Sequence, residues 1–295
     1  MKIAVTGGSG FIGSATVTNG LAKGHDIWTV DRQSGCDILK DLGALKGAET
    51  VIHLAGVLGT AELFDDIEDA VDVNVRGAVR IMKWCMQNDA IYIGILMPDV
   101  FPSIYTATKI ATQRLANALV NAGRLQVGHV RAFNAYGPRQ AYGPGHPQKI
   151  VPTFAIRAWQ RQPIPIWGSG QQAVDLIHSD DIGRMLIDTA VLVKRGHQNI
   201  VLDGGTGIKL SVNQVAAIVA ETTGWEYTIR WDKDENRGDQ THARLSCAAY
   251  FPMRDGEIES QDVEAKGVGW ELLDWRPRFD IDLLRETVHW YRDRA

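Results

Sequence analysis

Tyr105 and Lys109 are the two residues whose chemical types and spacing most directly suggest catalysis. Four positions apart on a helix, they would share one face. A free phenol has a pKa of about 10 and exchanges protons poorly at neutral pH. A neighbouring ammonium favours the phenolate, so we expect Lys109 to bring Tyr105 toward the range where it can take a proton from a hydroxyl group. Such pairs also arise by chance on helix surfaces, so the surrounding sequence must decide.

A glycine-rich run near the N-terminus, Thr6-Gly7-Gly8-Ser9-Gly10-Phe11-Ile12-Gly13, places three glycines at regular spacing. Between a strand and a helix, such glycines allow a sharp turn, close approach of the backbone to a pyrophosphate, and tight packing of the helix on the strand. The phosphates then lie against free amides at the helix N-terminus. We therefore expect a dinucleotide to be held by Gly7, Gly8, Gly10, Phe11, Ile12 and Gly13.

An acidic residue follows where a dinucleotide site needs one. Asp31 ends the second predicted strand, 18 residues beyond Gly13. A carboxylate there can accept both ribose hydroxyl protons and would repel a 2′-phosphate. The predicted cofactor is therefore NAD rather than NADP, although the adjacent Arg32 weakens this preference.

The predicted secondary structure alternates between strand and helix. Short apolar runs predict strands, and longer stretches at helical spacing predict helices. The predicted strands are 2–6, 26–30, 50–54, 90–96, 126–131 and 199–202, and the predicted helices are 11–23, 69–87, 105–122, 180–192 and 280–291. This alternation is typical of an α/β fold of the Rossmann type, a doubly wound parallel sheet with helices on both faces.

The character of the sequence changes after Ala135. Prolines crowd the stretch from Pro138 to Pro165, which predicts loops and a smaller mixed α/β lobe rather than a central sheet. We therefore predict an NAD-binding domain from 1–135 plus about 176–204, and a C-terminal substrate lobe from about 136–175 plus 205–295.

Composition argues against several functional classes. The 295-residue chain is 45% hydrophobic and 22% charged, which is typical of soluble proteins able to bury a full core. A formal charge of −4 without long basic runs argues against nucleic acid and membrane surfaces as partners. No apolar stretch reaches the roughly 18 residues of a membrane helix. Three isolated cysteines predict neither disulfides nor a metal site, so we expect a cytoplasmic protein without a signal peptide.

Motifs along nearly the whole chain carry a resemblance to a known family. The chain resembles the extended short-chain dehydrogenases/reductases in the glycine loop, the Tyr105-x-x-x-Lys109 pair, and the runs Asp37-Ile38, His53-Leu54-Ala55-Gly56 and Asn74-Val75-Arg76-Gly77. It is similar to the NAD-dependent nucleotide-sugar epimerases and dehydratases of that superfamily in the more specific second-lobe runs Phe133 to Arg139, Trp167 to Gln172, Asp175 to Asp181, and Arg237-Gly238-Asp239.

The resemblance implies roles for residues along the predicted cofactor site. Asp37 and Ile38 would flank the adenine, and Leu54, Ala55 and Gly56 would line the cofactor. Asn74 would help to organise the active site, and Lys109 would also hold the nicotinamide ribose.

The resemblance also implies a substrate and an assembly. Asn134 and Arg237 would contact the diphosphate of a nucleotide-linked sugar, and a guanidinium matches phosphate oxygens in bidentate geometry. Relatives commonly form dimers through the helices predicted over 69–87 and 105–122, so a homodimer is expected.

Two positions in the catalytic region depart from the family pattern. Met97 stands where relatives carry serine or threonine, and a thioether cannot donate a proton; Ser103 or Thr106 would have to supply that hydroxyl. Asp99 stands where sugar 4,6-dehydratases keep the glutamate that moves the C5 proton, which slightly favours elimination, although a turn residue would look the same. Pro98 replaces the partner acid of those enzymes.

A third departure concerns the diphosphate. Val174 stands where relatives usually place a phosphate-binding arginine. Losing one charged hydrogen bond weakens binding by about 1.5–3 kcal/mol. Arg139, Lys149 and Arg237 are the cations that could compensate.

Three functions remain open from the sequence. The leading one is transient NAD-dependent oxidation at sugar C4, with Tyr105 taking the hydroxyl proton, followed by Asp99-assisted dehydration or by epimerisation. The second is a catalytically silent NAD sensor, which the unusual Met97 suggests. The third is a reductase that consumes NADH on a small carbonyl compound, which leaves the second-lobe motifs unexplained.

Overall fold

The computed structural model describes residues 1–233 and 241–295. The strands of these residues are β1 (Lys2–Thr6), β2 (Asp26–Val30), β3 (Thr50–His53), β4 (Ile91–Leu96), β5 (Val127–Ala132), β6 (Asn134–Tyr136), β7 (Ile164–Trp167), β8 (Ala173–His178), β9 (Ile200–Gly204), β10 (Lys209–Ser211), β11 (Ile229–Lys233), β12 (Thr241–Leu245) and β13 (Ala248–Phe251).

The α-helices of the same residues are α1 (Phe11–Ala22), α2 (Ile67–Ala70), α3 (Gly77–Gln87), α4 (Ile104–Asn121), α5 (Ile150–Trp159), α6 (Ser179–Lys194), α7 (Val212–Thr222) and α8 (Ile281–Trp290). A π-helical segment, Val71–Arg76, joins α2 to α3 where one continuous helix was predicted. None of the helices described is both long and apolar enough to cross a bilayer.

The larger sheet confirms the predicted α/β class. Its six strands are parallel and run in the order β2-β1-β3-β4-β5-β9. Apolar side chains of these strands fill one core against α1 and α6 and another against α3 and α4. Because parallel strands are buried on both faces, their sequences are continuous apolar runs rather than alternating ones.

The carboxyl ends of the central strands position the candidate site. β1 ends just before the glycine loop, β3 ends just before Leu54, β4 ends just before Met97, and β5 ends close to Asn134. In parallel sheets these ends meet at one edge, where ligands bind.

The second lobe contains more regular structure than the prolines predicted. Pro152 lies in the first turn of α5, where a helix needs no backbone N–H from it. Pro165 lies in β7, which belongs to a sheet of only two strands with β13, so β7 is an edge strand that tolerates proline. A separate core beneath α5, α7 and α8 supports this lobe. The domain boundaries given above stay a prediction.

Candidate active site

The glycine loop leaves no room for side chains. Gly7 has a φ of +71°, and a side-chain carbon there would lie 2.8 Å from the backbone nitrogen of Ala55. A side-chain carbon at Gly13 would lie 2.1 Å from the carbonyl oxygen of Gly7. The loop therefore brings bare backbone to the N-terminus of α1, and this cradle fits the pyrophosphate of a dinucleotide.

Asp31 fastens the end of β2 to the glycine loop. Its carboxylate accepts hydrogen bonds from the backbone N–H of Ser9 at 2.9 Å, Gln33 at 3.0 Å and Ser34 at 3.1 Å. Partial burial works against ionisation, but these hydrogen bonds lower the pKa of Asp31 overall. The carboxylate is therefore charged beside the cradle, whereas Arg32 is exposed.

The next two predicted cofactor residues have different surroundings. Asp37 accepts a hydrogen bond from the backbone N–H of Leu39 at 2.9 Å. Ile38 is 6% exposed and packs in the core, where a side-chain carbon at Gly77 would lie 2.7 Å from its terminal methyl. The side chain of Ile38 therefore belongs to the core, and its backbone carbonyl accepts a hydrogen bond from the Arg80 guanidinium at 2.8 Å.

Asn74 joins the loop after β3 to α4. Its side-chain oxygen accepts from the backbone N–H of Val57 at 2.9 Å, and its amide nitrogen donates to the Val57 carbonyl at 3.1 Å. The same nitrogen donates to the hydroxyl of Thr108 at 3.2 Å. That hydroxyl donates to the carbonyl of Tyr105 at 2.7 Å. Asn74 lies in the π-helical segment, which turns its side chain toward this junction.

Tyr105 and Lys109 lie on one face of α4, as their spacing predicted. The Lys109 ammonium lies 5.5 Å from the centre of the Tyr105 ring. Burial lowers the pKa of Lys109 to about 8 and raises the pKa of Tyr105 above its usual value. The expectation that Lys109 lowers the pKa of Tyr105 in the free protein is therefore wrong, because the loss of solvation is the larger effect for both groups.

Two histidines of the large sheet are influenced by Lys109. The pKa of His53 falls to about 3 and that of His129 to about 4, first through burial and then through the charge of Lys109. The Thr6 hydroxyl lies 2.7 Å from Nδ1 of His53. Both rings are neutral at physiological pH, so neither adds positive charge beside Lys109.

Met97 has hydroxyl groups beside it, but the residues that carry them do not line the cavity. The Thr106 hydroxyl donates to the Met97 sulfur at 3.3 Å and lies 3.0 Å from the Ser103 hydroxyl. Ser103 and Thr106 are 5% and 2% exposed, and neither lines the cavity. They do not take the place of a hydroxyl at position 97.

Asp99 does not join the other predicted catalytic residues. It lies in the turn after β4 and is exposed. The residues around the cavity include Met97, Pro98 and Tyr105 but not Asp99. Its placement is that of a solvated turn residue.

A cavity of about 300 Å³ lies between the large sheet and the second lobe, a size that suits small ligands. Tyr105, Met97 and Asn134 line it, together with Phe11 and Ile12 from the end of the glycine loop. The charged side chains that line it, within the described part of the chain, are Glu62, Lys149, Arg254 and Glu257.

The predicted diphosphate contacts are only partly brought together. Asn134 lines the cavity, and its side-chain oxygen accepts from the backbone N–H of Asp175 at 3.2 Å. Val174 also lines it. Arg237 lies outside the described residues, and Arg139 is exposed and does not line the cavity. Lys149 is the proposed compensating cation that the structure places there.

Arg254 is the cavity residue that sequence reasoning missed. Its guanidinium stacks 4.5 Å from the Trp167 ring centre and is paired with Glu257. The signal was present, because Arg254-Asp255-Gly256-Glu257 also places an arginine before glycine and an acid. The same order of an arginine before a glycine and an acid occurs in Arg237-Gly238-Asp239, which lies outside the described residues.

Comparison with known proteins gives a consistent result. A model of the NAD dependent epimerase/dehydratase family matches residues 3–94 and 99–201. The solved structure of MoeE5 in complex with UDP-glucose and NAD is 29% identical, covers 100% of this chain and 99% of that one, and superposes with a TM-score of 0.81.

Two curated relatives represent both reactions of that family. A putative UDP-glucose 4-epimerase of Methanocaldococcus jannaschii is 24% identical over 99% of this chain and 98% of its own length. The trifunctional UDP-glucose 4,6-dehydratase/UDP-4-keto-6-deoxy-D-glucose 3,5-epimerase/UDP-4-keto-L-rhamnose-reductase RHM3 of Arabidopsis thaliana is 23% identical over 99% of this chain, which spans 47% of that relative.

Proposed function

Because this chain belongs to the NAD-dependent epimerase/dehydratase family, we propose that it oxidises a nucleotide-linked sugar transiently at C4 and then reduces it again to the epimer. The observation that carries this proposal is one shared cavity. Tyr105, a group for proton transfer, and the cations Lys149 and Arg254, which suit a diphosphate, all line it.

NAD, when bound, supplies a hydride acceptor that is regenerated in each turnover. The glycine cradle and the charged carboxylate of Asp31 would hold it. Lys109 would reach the nicotinamide ribose, since its ammonium lies beside the cofactor-lining loop, 3.8 Å from where a side-chain carbon of Gly56 would stand.

Tyr105 would exchange the proton of the sugar C4 hydroxyl. A raised pKa keeps the phenol protonated in the free protein, so the positive charge brought by the bound cofactor, together with Lys109, would have to favour the phenolate. Arg254, Lys149 and Asn134 would bind the diphosphate and thereby orient the sugar toward Tyr105.

The exposed position of Asp99 favours epimerisation over elimination. Elimination needs a group that moves the C5 proton, and the residue predicted for that task is exposed and outside the cavity lining. Elimination remains the second candidate, because the relatives include 4,6-dehydratases. Asp99 was the basis of the slight preference for dehydration drawn from the sequence, and its exposure is why we propose the epimerase alternative.

The test is incubation of the NAD-loaded protein with UDP-, dTDP- and GDP-linked sugars, followed by mass spectrometry and chromatography. A new isomer of unchanged mass supports epimerisation, and loss of water supports elimination. Net oxidation of added NADH would instead indicate a reductase. If every sugar remains unchanged, the proposal is wrong and the sensor hypothesis is preferred.

We also propose a homodimer in the cytoplasm. Apolar side chains at Ile67, Val71, Val79 and Leu115 are between 41% and 47% exposed on α2, the π-helical segment, α3 and α4. These are the helices expected to form the interface, and burying that apolar surface would stabilise a dimer. Light scattering after gel filtration tests the dimer.

The three cysteines are free, which suits a reducing compartment such as the cytoplasm.

A further inference from the structure

The charged side chains at the cavity come from both halves of the molecule. Glu62 belongs to the segment that follows β3 of the large sheet, whereas Lys149, Arg254 and Glu257 belong to the second lobe. One carboxylate oxygen of Glu62 accepts from the backbone N–H of Gln148 at 3.3 Å and lies 3.5 Å from a guanidinium nitrogen of Arg254. Glu62 therefore bridges to the second lobe at two points.

Arg254 is held by groups of different kinds. Trp167 supports the face of the guanidinium, and Glu257, three residues along the same loop, pairs with one of its nitrogens. Glu62 approaches another nitrogen from the opposite half of the molecule. Trp167 and Glu257 can keep the guanidinium in position when Glu62 leaves.

Lys149 belongs to the same cluster. Burial lowers its pKa, while the nearby carboxylate of Glu62 acts in the opposite direction. Glu62 and Glu257 thus both act on these cations, since Glu257 pairs with Arg254 and Glu62 lies 3.5 Å from it. Guanidinium and ammonium groups bind phosphate oxygens through the same charge-assisted hydrogen bonds that they make with carboxylates.

We propose that Glu62 occupies part of the diphosphate subsite in the free protein, that its carboxylate competes with the substrate diphosphate for Arg254, and that diphosphate binding displaces it. This inference rests on the proposed function, because it assumes a nucleoside-diphosphate ligand. A diphosphate carries more negative charge than one carboxylate and offers more acceptor oxygens, so it wins the competition, at the cost of the Glu62 contacts.

Displacement of Glu62 would be felt close to the catalytic helix. A side-chain carbon at Gly256 would lie 2.8 Å from the carbonyl oxygen of Thr60 and 3.0 Å from the β-carbon of Ser103. The loop that carries Arg254 therefore rests directly on the Glu62 segment and on the N-cap of α4.

The test is calorimetric titration of the NAD-loaded wild type and Glu62→Gln with UDP, dTDP and uridine. Glutamine keeps an oxygen for the Gln148 N–H but removes the charge. We expect UDP or dTDP to bind roughly threefold to fivefold more tightly, the scale of one partly exposed ion pair. Uridine, which has no phosphate, should bind unchanged, and KM for the sugar nucleotide should fall without a change in kcat.

Glu264→Gln is the matched control, because Glu264 pairs with Lys209 and Lys266 and does not line the cavity. Its nucleotide affinity should equal that of the wild type. Glu62→Ala should tighten UDP binding as Glu62→Gln does, and the gain should vanish when Arg254→Gln is combined with Glu62→Gln.

Unchanged or weaker UDP binding by both Glu62 variants would overturn the inference, and so would equal tightening of uridine. If the wild type binds UDP or dTDP normally while the variants behave like it, only the role of Glu62 is lost. If the wild type binds no nucleoside diphosphate, the proposed function fails and this inference fails with it.

Discussion

The Lys109 ammonium lies 5.5 Å from the centre of the Tyr105 ring, one helical turn along α4. Both groups have lost solvent, and burial moves each pKa toward the uncharged form. The histidines behind them, His53 and His129, are neutral for the same reason. In the free protein the pair is thus a poor proton acceptor, and ligands must supply the charge that activates it.

Lys109→Met should remove a pH dependence of stability from the cofactor-free protein. The pKa of Lys109 is about 8 when folded and 10.5 in its usual environment. Between these values the unfolded chain holds a proton that the folded chain has lost, so wild-type stability rises with pH across this range. At neutral pH the buried ammonium costs up to about 3 kcal/mol.

Urea unfolding at several pH values between 7 and about 10.5 measures this effect. Lys109→Met should be the more stable protein at neutral pH and should lose its advantage as the pH rises. Lys46→Met removes an exposed ammonium and should follow the wild-type profile. Parallel profiles for wild type and Lys109→Met would contradict the assignment.

Tyr105→Phe should abolish turnover while leaving NAD bound. Removing a group that exchanges a proton in the transition state lowers kcat by about 10²–10⁴-fold. Tyr142→Phe removes a phenol hydroxyl that donates to the Arg294 carbonyl at 2.9 Å, outside the cavity lining, and should keep wild-type activity. Stopped turnover with an unchanged NAD affinity is the expected pattern; full activity in Tyr105→Phe would exclude the phenol from the chemistry.

The large sheet was predictable because its signals are local. Each strand is a short buried apolar run, each helix has its own spacing, and Gly7 and Gly13 mark the turn that only small residues fit. The second lobe was less predictable. Pro152 and Pro165 read as breaks, although a first helical turn and an edge strand accept proline. Which position a proline occupies in its element depends on the fold around it.

The site was predictable where the chemistry lies within one element, as for Tyr105 and Lys109 on α4. It was not predictable where packing decides. Arg254 becomes a cavity residue because Trp167, from a distant strand, supports its guanidinium. Asp99 leaves the site because the turn after β4 carries it to the surface. The sign of the Tyr105 pKa shift likewise depends on burial, which spacing cannot reveal.

Asp31→Asn should weaken NAD binding and reduce discrimination against NADP. The carboxylate is charged beside the glycine loop, where it would accept from the ribose and repel a 2′-phosphate. Losing charged hydrogen bonds costs about 1.5–3 kcal/mol, which is roughly tenfold or more in Kd. Fluorescence titration with both dinucleotides measures the ratio.

Asp41→Asn is the matched control for that ratio. Asp41 accepts from the backbone N–H of Gly43 at 2.9 Å in an exposed turn, so the exchange of carboxylate for amide is the same without a ligand nearby. If Asp31→Asn retains the wild-type ratio of NADP to NAD affinity, Asp31 does not read the ribose.

Asn74→Ala should reduce both stability and activity. The substitution leaves the partly buried N–H and carbonyl of Val57 without their side-chain partners, at a cost of about 1–3 kcal/mol for the two hydrogen bonds. It also removes the link through Thr108 to Tyr105. Asn88→Ala, which removes an exposed hydrogen bond to the Trp84 carbonyl, should cost less than about 1 kcal/mol. Equal urea midpoints for the two variants would show that Asn74 is not a structural link.

Met97→Thr should raise kcat, because it introduces a hydroxyl at a position that lines the cavity with Tyr105. The Thr106 hydroxyl already donates to the Met97 sulfur, but a thioether cannot pass a proton on. A hydroxyl there would extend the Ser103–Thr106 pair to the sugar, and we expect about a tenfold gain in kcat, smaller than the roughly 10²–10⁴-fold contributed by a fully positioned proton-transfer group. Met97→Leu keeps an apolar side chain of similar size to methionine and adds no hydroxyl, so kcat should not rise. If Met97→Thr and Met97→Leu lowered kcat equally, the site would require the shape of the methionine side chain, and a hydroxyl at this position would not help.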